Sequence, residues 1–229
     1  MSYKASGTIS LDIHRNEYNR FGGPVTFTNR YLKVKPREIV LRAAASLAPP
    51  CTKFFKRTEL DLIGPLIALV ILIMIIHYGY IFKDPTATDS FIAPISTVFS
   101  YAVFVPIVGF IICKFARAAV TFWDIATLLG YGLYSHIIIL CMNLVIYQEE
   151  SNTFFFICLF IFGGSSALRM SIILLSTIPK PAARLLVCST LFIIHLLYAI
   201  FLYFTYMHPT FVYGIGNSKK VSNVIHNNL

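Results

Sequence analysis

Acidic residues are scarce in this chain: ten Asp and Glu stand among 229 residues, and charged residues of both signs make up only 13%. An ordinary soluble domain carries about 25%. Between Asp124 and Glu149 formal charge is missing altogether for 24 residues. A chain so poor in charge, and 57% hydrophobic, cannot cover a water-facing surface, which excludes the soluble globular class and leaves an all-α integral membrane protein. Catalytic constellations are missing too. There is no phosphate-binding Walker loop, no HExxH zinc helix and no nucleophile elbow, so neither an enzyme nor a cofactor is expected. The five cysteines, Cys51, Cys113, Cys141, Cys158 and Cys188, have neither metal-ligand spacing nor the look of an extracellular framework. No N-x-S/T sequon is present. The opening residues lack the charged region, short apolar core and cleavage site of a signal peptide, so the first apolar run is expected to insert the chain.

What the sequence does have is five long apolar runs. They cover Leu62–Phe82, Ser90–Cys113, Trp123–Asn143, Thr153–Thr177 and Leu185 to about His208. Each is long enough to cross a hydrocarbon core that needs about 20 helical residues. The links between them are too short to hold a domain, which predicts a five-helix membrane domain over residues 58–207, with an N-terminal region 1–57 and a C-terminal tail 208–229. Residues 1–57 hold eleven Lys and Arg against three acids, eight of the nine net positive charges. The first thirty-odd have no sustained period and are expected to be disordered. Pro36 then suits a first helical turn and Pro49-Pro50 a stop, predicting a short helix lying at the membrane surface. In CTKFFKR, Phe54 and Phe55 can dip into the interface while Lys53, Lys56 and Arg57 meet lipid headgroups; a merely solvated basic linker is the alternative. Nucleic acid is set aside as a partner of the basic arm because the spans follow it directly. Placing the N-terminus in the cytosol puts seven basic residues near the spans on the inner side and three on the outer, so the tail is expected to be lumenal.

The third run is not uniformly apolar. Gly130 and Gly132 flank Tyr131, with Tyr134 and His136 beyond, and such groups need a protein neighbour in lipid. Ala126 and Gly130, like Gly163 and Ala167 in the fourth run beside Gly164, are spaced to let another helix approach closely. Arg169 is a permanent charge within a span. It either snorkels to the headgroups or pairs with Asp124 or Asp61, which the topology puts on the same side. His77, His136 and His195 fall in apolar runs without an acid at their depth, so packing is expected of them before a proton path or a zinc site. Cys51 and Cys113 are juxtamembrane and are candidates for palmitoylation, with unmodified cysteine as the equal alternative.

Two motifs carry a likeness. Asp61-Leu62-Ile63-Gly64-Pro65 at the mouth of the first span and Leu129-Gly130-Tyr131-Gly132-Leu133 in the third resemble the paired motifs of the Yip-domain family of early secretory-pathway proteins, over about residues 59–207. Ile63 departs from the pattern, where Tyr is common. LLGYGLYSH, GGSSALRM and LLVCSTLFIIHLLYAIFLYFTY are closest to the third branch of the animal set. The resemblance implies a non-enzymatic membrane protein of the Golgi, at the cis-Golgi and endoplasmic-reticulum boundary. It implies work in vesicle traffic and Golgi organisation, in a hetero-oligomer with another Yip-family protein, with Rab GTPases as further partners. Two other classes remain open. A transporter needs a polar path or a broken helix at mid-depth, for which Pro94 and Pro106 are the hints. A receptor for Golgi-membrane turnover would act through the arm, where Tyr31-Leu32-Lys33-Val34 has an aromatic-x-x-aliphatic shape.

Overall fold

The computed structural model describes residues 34–47, 61–83, 91–118, 120–146 and 152–208. Among these the chain is all helical, and five helices are long and apolar enough to span a membrane. The N-terminal residues before 34, the CTKFFKR stretch with Cys51, and the tail from 209 lie outside the described residues, as does most of Tyr31–Val34.

Helix α1 (Pro36–Leu47) opens on the expected proline. Helix α2 (Ile63–Lys83) is started by Asp61, whose Oδ1 accepts from the Gly64 N–H at 2.8 Å and so satisfies one of the orphan donors of a helix start. Helix α3 (Ile92–Phe115) runs unbroken through Pro94 and Pro106, so neither proline makes the broken helix that a transporter reading looked for. Helix α4 (Phe122–Val145) starts in a capping box: the Thr121 hydroxyl accepts from the Asp124 N–H at 3.3 Å, and the Asp124 carboxylate accepts from the Thr121 N–H at 2.9 Å. The fourth span is composite. Helix α5 (Thr153–Cys158) passes through a π-helical turn, Leu159–Gly163, into α6 (Gly164–Thr177). Helix α7 (Pro181–Tyr206) begins four residues before the expected Leu185, because Pro181 occupies its first turn.

Helix α4 is the axis of the bundle. It buries residues on every side, from Ile125 to Asn143, which bears out the expectation that the centre of this run faces protein. Its strongest partner is α2, and α1 packs mainly on α4, with α2 and α6 beside it. Two apolar cores flank the axis. One holds Leu72, Ile76, Leu133, Ile139, Phe155 and Leu202; the other holds Ile125, Leu129, Leu174, Ile178, Val187 and Leu191.

Where α3 ends, Arg117 has φ 56°, the left-handed region that favours glycine. The Arg117 N–H donates to the Lys114 carbonyl at 3.0 Å and the Ala118 N–H to the Cys113 carbonyl at 2.9 Å, the two bonds of a Schellman stop. A side chain in that conformation costs about 1 kcal/mol relative to glycine. Arg117→Gly is therefore expected to raise stability by about that amount, read as a higher unfolding temperature in detergent. A fall would show that the exposed guanidinium holds the loop by a contact of its own.

Candidate functional site

The carboxylate of Asp61 is fully buried where α1, α2 and α4 meet. Such a group is tolerated only when its lone pairs are occupied and its charge is met. Besides the Gly64 N–H, it accepts from the Tyr131 hydroxyl, Oδ2 to oxygen 2.6 Å, and it forms an ion pair with Arg42 of α1. Arg42 also reaches Glu38, one turn earlier, at 3.5 Å. The Tyr134 hydroxyl donates to the Gly64 carbonyl at 3.0 Å. The backbone fits as closely as the polar groups. A Cβ added to Gly130 would overlap the Pro65 Cβ, and one added to Gly64 would overlap the Tyr131 hydroxyl. The five-residue motif at the start of α2 and the glycine-tyrosine motif of α4 are thus the two halves of one junction. Arg42 closes it from α1. Leu62 and Ile63 stand half-buried at its edge.

A second polar cluster lies deeper along α4. His136, His195 and Ser135 are fully buried, and a Cβ on Gly132 would approach His195 Cε1 to 2.9 Å, so this glycine makes room for the imidazole. His136 Nε2 faces the His195 carbonyl at 3.2 Å and must donate to it. The Ser135 hydroxyl donates to the Gly132 carbonyl at 2.7 Å, and its oxygen stands 3.2 Å from His136 Nδ1 and 3.3 Å from His195 Nε2, which donates to it. His195 Nδ1 then accepts from the Tyr101 hydroxyl at 3.3 Å. The series ends on a backbone carbonyl, which cannot pass a proton on. These histidines therefore tie α3, α4 and α7 together and do not form a conduit.

The other sequence-derived sites fall as follows. Among the described residues Arg169 does not pair with Asp124 or Asp61: Asp124 caps α4, and Asp61 is taken by Arg42 and Tyr131. Nor does Arg169 snorkel. It is buried, and its guanidinium donates to the Ala45 carbonyl in the last turn of α1. One turn along, the Ser165 hydroxyl donates to the Leu47 carbonyl at 2.7 Å. Gly163 lies at a contact, where a Cβ would stand 3.2 Å from Leu196 of α7 and 3.4 Å from Ile139 of α4, and Ala167 is fully buried. Ala126 is half-buried, one turn before Gly130. Gly164 differs from the contact expected of it: nothing lies within 4 Å of a Cβ placed there. Cys113 is fully buried, so the fold closes it to the acylation considered for it. His77 stacks on Phe91, centroids 3.5 Å apart, as a packing residue. Among the described residues no three His, Cys, Asp or Glu side chains are placed to hold a metal ion.

Arg42 and Ser135 were not singled out by the sequence, and Tyr134 was legible only as a group that needs a protein neighbour. Arg42 had one legible signal, an isolated cation four residues after Glu38 in a helix otherwise rich in Ala and Leu.

The family model of the YIPF3 C-terminal domain matches residues 36–207. The chain belongs to this family. The match opens on Pro36, the first residue of α1, and closes just past α7, so α1 and the five spans fall within one unit. YIPF membership makes this a multi-pass membrane protein of the secretory pathway. No solved structure matches the chain.

Proposed function

We propose that this YIPF protein is a non-enzymatic scaffold of Golgi membranes, at the cis-Golgi and endoplasmic-reticulum boundary. It acts in Golgi organisation and vesicle traffic through a complex with a second Yip-family membrane protein. The reading rests on the Asp61 junction: the family's paired motifs are spent on locking α1, α2 and α4 to one another, which is the work of a scaffold. The N-terminal region is cytosolic and presents a basic platform to Rab GTPases on an anionic leaflet, with the tail lumenal; the charge count near the spans supports this orientation. Most of the small residues are consumed inside the molecule. Gly164 is open, and exposed Phe160, Ile161 and Leu168 flank it, which suits the approach of a partner helix.

Purification in mild detergent tests this. A second five-span protein should be recovered in stoichiometric amount, and Gly164→Leu should lower that recovery while the protein still folds. Protease applied to sealed microsomes should remove an N-terminal tag and spare a C-terminal one. Saturable solute transport by the purified protein in liposomes, with no partner recovered, would overturn the proposal in favour of a transporter.

A further inference from the structure

The contacts of α1 place it at a depth that a helix resting on a membrane surface does not reach. Tyr131, which meets the same carboxylate as Arg42, is nine residues into α4, about 14 Å along its axis. The partners of the last turn of α1 are deeper. Arg169 is eight residues from the end of α6, about 12 Å, and Ser165 is twelve, about 18 Å. The fourth span, at 25 residues, is about 37 Å long and overhangs a core of about 30 Å by a few ångströms at each end. Ser165, and with it the Leu47 carbonyl, therefore stands close to the bilayer mid-plane. The order of contacts gives the direction. Ala45 meets Arg169 and Leu47 meets Ser165, so α1 climbs away from the end of α6 as it proceeds.

Three features agree with this placement. The charges of α1 are confined to Arg37, Glu38 and Arg42, with none from Ala43 to Leu47, the half that would lie deeper. The last carbonyls of a helix in water need no protein partner, whereas in hydrocarbon they must be satisfied from within. Here a span arginine and a span serine supply that satisfaction. The faces are also inverted relative to a helix on a water-facing surface. Arg42, Ser46 and Ile39 turn toward the bundle, while Val40, Leu41 and Ala44 point out, with Val40 68% exposed.

We propose that α1 is a half-depth membrane helix: it enters the leaflet on the side of the N-terminal arm, ends near mid-membrane, and shows Val40, Leu41 and Ala44 to lipid acyl chains. The proposal is independent of any partner and of which side of the membrane is cytosolic.

The chain has a single tryptophan, Trp123, which makes depth measurable in the full-length protein. In a Trp123→Phe background, Val40→Trp, Leu41→Trp and Ala44→Trp are reconstituted into phosphatidylcholine vesicles with bromine at shallow or deep acyl carbons. Phe104→Trp, at a position 65% exposed near the middle of the second span, is the lipid-facing reference. Bromine should quench all three reporters nearly as well as the reference, with the most effective bromine moving deeper from position 40 to position 44, and aqueous acrylamide should reach none of them. Equal, shallow quenching at all three would mean a helix lying in the surface plane. Strong acrylamide quenching would mean a face in water, and protection from both quenchers would mean a face covered by protein. Each of these overturns the proposal, and a circular-dichroism spectrum of every variant, recorded beside the parent, shows that the spans have folded.

Discussion

Asp61→Ala is expected to be the most damaging single substitution in the membrane domain, lowering stability by about 3–5 kcal/mol. Its carboxylate is the common acceptor for the Gly64 N–H, the Tyr131 hydroxyl and the Arg42 guanidinium, and it is fully buried. Removing it takes from Arg42 its closest counter-charge, leaving Glu38 at 3.5 Å, and leaves the Tyr131 hydroxyl and the Gly64 N–H without this acceptor. Helix α2 loses its N-terminal cap at the same time. Tyr131→Phe removes one hydrogen bond and leaves the ion pair, so it should cost only about 1–2 kcal/mol. Thermal unfolding in detergent, with the yield of monodisperse protein, orders the two variants. An Asp61→Ala protein as stable as the parent would show that α1 and α2 are held by their apolar contacts and that the ion pair is incidental.

Gly130→Ala comes second. Overpacking a tight contact costs about 1–3 kcal/mol, and the upper part of that range is expected here. The added methyl would overlap the Cβ of Pro65, whose ring is tied to the backbone at both ends and cannot rotate aside. The matched control is Gly164→Ala. It meets no atom within 4 Å, and should be neutral or gain up to about 1 kcal/mol from the better helix propensity of alanine. Unfolding temperature and yield, measured side by side, separate the two. Equal effects would mean that α2 slides along α4 to accept the methyl.

The sequence made the spans legible because a hydrocarbon core selects for length and apolarity before anything else. It also gave the protein-facing centre of α4, since Gly130, Tyr131 and Gly132 are ill suited to lipid. What it withheld were register and distance. Arg42 and Asp61 are 19 positions apart, across a stretch with no period from which to phase one helix against the other. His136 and His195 lie on helices whose faces can be read separately, but nothing local says that Gly132 sets them level. The reading of Arg169 failed for a more general reason. A charge was matched with charges, whereas the described partner of this one includes a backbone carbonyl, that of Ala45, and every residue has one of those.

The bonds that hold α1 impose an order on the making of the protein. Ala45 and Arg169 are 124 residues apart, on the order of ten seconds of synthesis at the pace of a ribosome. Until the fourth span has emerged, the last turn of α1 has no Arg169 or Ser165 to satisfy it. Asp61 and Arg42 must wait for Tyr131 before their junction is complete. Helix α1 is translated before every span, yet it cannot settle into the bilayer until the fourth span is made. A chain stalled or cleaved before Arg169 carries its unfinished state in α1, as a loose amphipathic segment whose last carbonyls lack these two partners, in a form that biogenesis and quality-control machinery can read.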